Sequence, residues 1–181
     1  MKEDKIPAPQ SYYASPLDRC CHTAKLTFNG LDLPKDRPFK PVIKEMMREV
    51  LGVHTCDRRS NRAVIAHRYP EFPFEDGFAE EDPVWLANLR ESDSQLDYRV
   101  KGFLDDIFAH DSNAFISLTS HSGAIAGFLR VLGHEPFRLP TGGVIPVFVK
   151  GQKIHGSPPP MKIEPGFPPP TCDKPPPPLN G

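Results

Sequence analysis

Phe115-Ile116-Ser117-Leu118-Thr119-Ser120-His121-Ser122-Gly123 is the stretch that decides how the rest of the chain is read. Phe115, Ile116 and Leu118 make a short apolar run that predicts a strand over 115–119. Thr119-Ser120 ends it, and Ser122-Gly123-Ala124-Ile125-Ala126 opens a helix at once. His121 then falls at the carboxyl end of a strand and against a helix N-terminus. Free backbone N–H groups and the positive end of the helix dipole meet in such a corner, so an anion can bind there. His121 and Ser122 are therefore candidate phosphate-binding residues. The Gly-x-Ser-x-Gly pattern of a serine-hydrolase elbow is absent.

Elements with the same rhythm lie on either side. The helix from Ser122 is expected to run to Leu132 and close at Gly133. Upstream, Leu96, Val100, Phe103, Leu104, Ile107 and Phe108 fall on one face of a helix from about Ser94 to His110. Ser11-Tyr12-Tyr13-Ala14 predicts a first strand. Ser15-Pro16 follows it as an N-cap with proline at the first helical position. Leu17, Cys21, Ala24 and Phe28 continue at helical spacing to Asn29-Gly30, and Val42-Ile43 is a short strand candidate. Residues 53–92 have the composition of a long insertion with one or two short helices. Beyond Thr141-Gly142-Gly143, Val144-Ile145-Pro146-Val147-Phe148-Val149 predicts an edge strand, because its proline cannot donate to a ladder. Helices alternating with short apolar strands indicate an α/β sheet with helices on both faces.

The 181 residues allow one domain and a tail. Eleven of the 23 prolines follow Gly156, so that segment should be extended and disordered. The expected division is an N-terminal remnant at 1–8, a folded domain at 9–150 and a Pro-rich tail at 151–181. Pro175–Pro178 could dock as polyproline II onto an SH3- or WW-type groove. A net charge of −1 gives no electrostatic footprint for nucleic acid or membrane, and no apolar run is long enough to span a bilayer. The N-terminus lacks the apolar core of a signal peptide. Cys20, Cys21, Cys56 and Cys172 make a poor disulfide framework, so a reducing cytoplasmic setting is expected. His54-Thr55-Cys56-Asp57 and Cys20-Cys21-His22 lack zinc-ligand spacing, and neither metal nor cofactor is expected.

Two further groups suit phosphate chemistry. Arg19 stands in the first turn of the helix after the first strand, where a guanidinium can fork onto phosphate oxygens; alone, it reads equally as a solvated arginine. Glu49, after the Val42-Ile43 strand, could protonate a leaving-group oxygen. Spacing alone leaves Glu45 open as the alternative. The acidic run Glu71, Glu75, Asp76, Glu80, Glu81 and Asp82 reads as a solvated loop.

Three blocks in order resemble the histidine phosphatase superfamily, also called phosphoglycerate mutase-like, and in particular its fungal and plant phosphomutase-like branch. They are Tyr13-Ala14-Ser15-Pro16-Leu17-Asp18-Arg19; Lys44 to Glu49 running into Leu51-Gly52-Val53-His54-Thr55-Cys56-Asp57-Arg58-Arg59; and Ser117 to Gly123. The resemblance spans about residues 9–150. It implies a three-layer α/β/α sandwich with a mostly parallel sheet. It also implies phosphomonoester hydrolysis through a phosphohistidine, with a phosphorylated small molecule as substrate. Arg19 matches the family's second phosphate arginine, His121 its second histidine and Glu49 its acid. The family's Arg-His-Gly, which carries the nucleophile at the end of the first strand, occurs nowhere in this sequence. The resemblance thus implies a chain truncated at its N-terminus, lacking the first strand and inactive in this form. The alternatives are a non-catalytic binder of phosphorylated ligands or a Pro-rich interaction protein.

Overall fold

The structure, a computed structural model, describes residues 7–157 and 159–170. Three strands form an open parallel sheet: β1 (Ser11–Ala14), β2 (Val42–Ile43) and β3 (Ile116–Thr119). Their order is β2-β1-β3, with Tyr13 beside Val42 and Leu118, and Ala14 beside Ile43 and Thr119. Side chains alternate across a strand, so this register sends the two tyrosines of β1 to opposite faces.

On the Tyr13 face lie α3 (Asp93–His110) and α4 (Ser122–Val131). Met47, Leu96, Val100, Phe103, Ile107 and Phe128 form the core there, and Phe103 meets the rings of Tyr13 and Phe128 edge to face. Gly127 lets the two helices close up, since a Cβ there would lie 3.1 Å from Leu96 Cγ. On the opposite face α1 (Asp18–Phe28) and α2 (Arg62–Arg68) flank a second cluster of Cys21, Ile43, Ile65, Tyr69 and Phe72. Tyr12 packs there against Phe28 and Phe39. The fold is α/β with helices on both faces of a small parallel sheet, as the alternating pattern indicates.

The helix boundaries follow local chemistry. A capping box starts α3: Ser92 Oγ accepts from Gln95 N, and the Gln95 side chain accepts from Ser92 N. Gly133, at φ 67°, stops α4. Short 3₁₀ turns occupy Glu45–Met47 and Thr55–Asp57.

Several expectations need correction. Leu17, not Ser15, holds the N-cap position of α1, because Ser15 Oγ is engaged with His121. Phe108 is half exposed instead of buried on the α3 core face. Val144–Val149 pairs with no strand among the described residues; Val144 and Phe148 lie open to solvent. Apolar alternation makes a strand only where an edge is in reach to take its hydrogen bonds, and Pro146 removes one donor. The acidic run is only partly solvated. Asp82 is buried against Arg48, and Glu75 pairs with Lys44, because buried arginines need carboxylates beside them.

From residue 151 to 170 the described residues form no helix or strand, but Phe167 makes an antiparallel bridge with Arg90. Pro175–Pro178 and Cys172 lie outside the described residues. Among those residues no helix is long and apolar enough to cross a membrane.

Candidate functional site

The parallel pairing of β1 and β3 brings their carboxyl ends side by side, and the chain leaves each end directly into a helix. Ser15 N donates to Thr119 O, so the turn into α1 lies against the turn into α4. Arg19 and His121, 102 residues apart in sequence, meet there: Arg19 Nε donates to His121 Nδ1 at 3.1 Å. The two terminal guanidinium nitrogens donate to Cys56 O at 2.6 Å and Asp57 Oδ1 at 2.9 Å. Arg19 keeps 45% of its side-chain surface exposed, while the Asp57 side chain is buried. A guanidinium has five N–H groups, so this arginine retains donors facing solvent.

His121 is buried at the mouth of α4. Burial, with the Arg19 charge next, pushes its imidazolium down to about 3, so the ring is neutral at physiological pH. Since Nδ1 accepts from Arg19, the proton belongs on Nε2, which then donates to Ser15 Oγ at 2.8 Å. Ser15 Oγ also accepts from Leu17 N. Cys20 Sγ lies 3.3 Å from Nε2 and donates to Ser120 O. Burial pushes the Cys20 thiol up to about 12, so it is protonated and not a nucleophile at neutral pH.

The α4 N-terminus already holds an anion. The Glu49 carboxylate accepts from Gly123 N at 3.3 Å, from Ala124 N at 3.2 Å and from Val50 N at 2.9 Å. A Cβ at position 123 would overlap that carboxylate. Gly123 is thus required by the close approach of Glu49. Ser122 stands exposed at the first position of the helix. Glu45, left open by the spacing, lies in a different environment: it binds Arg48 and Arg59, whose side chains are fully buried. Of the sequence-chosen residues, the fold joins Arg19 and His121 directly and sets Glu49 at the start of the helix that His121 precedes.

The sequence reading did not single out Ser15, Cys20 or Asp57 as contacts of this corner. Asp57 is the most consequential, because its side chain joins Arg19 to Arg90. Its signal was present as an acidic residue beside Arg58-Arg59, but which arginine it would meet depends on the path of the chain. A separate cleft of about 840 Å³ runs between β2 and α3, lined by Tyr13, Lys44, Met46, Phe74 and Tyr98. Arg19 and His121 do not line it. Among the described residues no group of three or more histidine, cysteine or acidic side chains is placed to hold a metal ion.

Comparison with known proteins matches this arrangement to one family. The chain is 54% identical over 148 residues to a "Probable phosphoglycerate mutase" of Arthroderma benhamiae, covering 82% of this chain and 44% of that protein. It is 42% identical over 147 residues to "Phosphomutase-like protein 3" of Candida albicans, covering 80% and 44%. It is 34% identical over 160 residues to a probable phosphoglycerate mutase of Saccharomyces cerevisiae, covering 78% and 54%. The chain thus spans about half the length of these relatives. No solved structure matches it. The family model of the histidine phosphatase superfamily, branch 1, matches residues 2–141, which take in β1, β3 and the Arg19–His121 corner between them; the chain belongs to that superfamily.

Proposed function

We propose that this chain binds the phosphate of a phosphorylated small molecule at Arg19, His121 and Ser122, and that it turns such esters over poorly or not at all. The meeting of Arg19 Nε and His121 Nδ1 at 3.1 Å carries the reading. A forked cation beside a neutral imidazole and a helix N-terminus is the donor set that a phosphate dianion needs. Glu49 would then move from the α4 amides toward the leaving-group oxygen as its proton donor. In that family a phosphoryl group passes through a histidine, and the Arg-His-Gly that supplies it is absent from this sequence. Of the remaining candidates, Cys20 is a protonated thiol, and Ser15 receives a proton from His121 without giving one up. Loss of a nucleophile costs about 10⁶ in rate in the serine-protease case. The mutase and phosphatase names of the relatives differ only in what accepts the phosphoryl group, so the binding step is common to both.

Thermal unfolding tests the binding. At a phosphate concentration about ten times Kd, the native state gains about 1.4 kcal/mol. The melting temperature should rise with millimolar phosphate, and Arg19→Ala should abolish the rise. No upward shift would reject the binding site. For the chemistry, p-nitrophenyl phosphate hydrolysis should be no faster than in His121→Ala. Clear turnover that His121→Ala loses would mean that another group replaces the nucleophile.

A further inference from the structure

The Pro-rich segment after the domain is engaged at one place. Phe167 N donates to Arg90 O at 2.9 Å, and Arg90 N donates to Phe167 O at 2.8 Å, a complete antiparallel pair. Three residues earlier the buried Ser92 donates its hydroxyl to Glu164 O at 2.8 Å, and Glu164 N donates to Ser94 Oγ at 2.8 Å. Gly166 lies between these grips, where a Cβ would come to 2.5 Å from Arg90 O and 3.2 Å from Gln95 Oε1. Only glycine permits that approach. Pro165 and Pro168 flank the paired residues. They donate no N–H, and their fixed φ lowers the entropy lost when the segment docks. Glu164 to Phe167 therefore lies on Arg90–Ser94 as an added strand does on a sheet edge.

The residue it grips also reaches the candidate site. Arg90 Nη1 donates to Val50 O at 2.9 Å, Gly52 O at 2.7 Å and Asp57 Oδ2 at 3.1 Å, while Asp57 Oδ1 accepts from Arg19. One carboxylate thus stands between the arginine tied to the strap and the arginine at the phosphate corner.

We propose that Glu164–Phe167 is an intramolecular strap that holds the Arg90 backbone and, through the Arg90 guanidinium, positions Asp57 and Arg19. Arg90 is a positioning residue in this scheme, and release of the strap loosens the Thr55–Asp57 turn. The effect on phosphate rests on the function proposed above; the docking and its effect on Asp57 do not.

Amide exchange on the full chain tests it. In the wild type, the Arg90 and Phe167 amides should exchange slowly. Gly166→Val should speed both about tenfold, the loss expected when a pair of hydrogen bonds opens. It should also speed the amides of Asp57 and Arg58, which donate to His54 O and Thr55 O. Phosphate binding, read by thermal shift, should weaken about threefold or more through loss of the preset Arg19 position. Ser94→Ala removes the acceptor for Glu164 N and leaves the Ser92–Gln95 capping box in place. It should give a smaller change in the same direction, and it serves if Gly166→Val folds poorly. Lys153→Ala, on an exposed stretch of the tail, should change nothing. Fast exchange of Phe167 and Arg90 in the wild type would reject the docking. Release of the strap with Asp57, Arg58 and phosphate binding unchanged would reject the coupling. A wild type that ignores phosphate, but whose Asp57 amide loosens on strap release, would keep the strap and reject the phosphate site.

Discussion

Arg19 and Arg48 both bond to Asp57, from opposite sides and with opposite consequences. Arg48 is fully buried. Its terminal nitrogens bind Glu45, both carboxylate oxygens of Asp82 and the backbone carbonyl of Asp57, at 2.6–2.8 Å. Arg59, equally buried, binds Glu45 and the carbonyls of Ala79 and Glu81. Those guanidiniums are occupied by the protein itself, and they tie the 75–91 loop to the turn after β2. Arg19 reaches the Asp57 side chain from the solvent side and keeps nearly half its surface open. A ligand can compete for Arg19 but not for Arg48. The difference separates an arginine that builds the fold from one that can recognise something.

The largest effect should come from breaking the buried side. Burial pushes the Asp82 carboxyl up, but the Arg48 hydrogen bonds and charge outweigh it and hold the group down at about 2. Asp82→Asn leaves Arg48 short of a counter-charge and should cost about 3–5 kcal/mol in urea unfolding. The depressed carboxyl contributes stability above its ordinary value of 3.8, and that contribution is lost as pH falls toward 2. A cost below about 1 kcal/mol, in the range of surface ion pairs, would put Asp82 in the same class as exposed charges.

The next effect distinguishes His121 by pH. Its folded value of about 3 lies below the ordinary 6.5, so the unfolded chain binds the extra proton between those limits. Stability should therefore fall as pH drops below 6.5, by about 1 kcal/mol between pH 6.5 and 5.5 from this group alone. His121→Gln should lack that slope in parallel unfolding curves. An unchanged slope would mean that the imidazole is not held neutral.

Arg19→Ala should be milder still for stability, within about 1 kcal/mol as for exposed ion pairs, while removing the phosphate-induced melting shift. A loss of several kcal/mol would place Arg19 with Arg48 as a structural group. Smallest should be Val53→Gly. Val53 sits at φ 63° between Glu49 and Asp57, and His54 N closes a tight turn onto Gly52 O. Relief of a strained β-branched residue, about 1–2 kcal/mol, is offset by about 0.5–1 kcal/mol of glycine entropy. Calorimetry should show a small gain or none.

Periodicity sufficed for the helices and for β1 and β3, because each buries an apolar face whose spacing is fixed by the backbone. Tyr12 and Tyr13 divide between two cores on this rule, and Leu96, Val100, Phe103 and Ile107 line up as the 3.6-residue period requires. Val144–Val149 shows its limit: the pattern is that of a strand, and no strand forms among the described residues. Of the site, Arg19 and His121 could be chosen from local context, since each follows a strand and opens a helix. Glu49 and Glu45 could not be told apart, because both precede the same loop and only burial separates them.

The sequence by itself determined the alternation of strands and helices, the corner at His121, and membership of a family that handles phosphate. Those are consequences of local pattern and of short motifs. Tertiary structure decided that Glu49 occupies the α4 amides, that Asp57 joins Arg19 to Arg90, and that Glu164–Phe167 lies on Arg90–Ser94. Each of these joins groups far apart in the chain, and a charge finds its partner only when the sheet and its loops have fixed the distances.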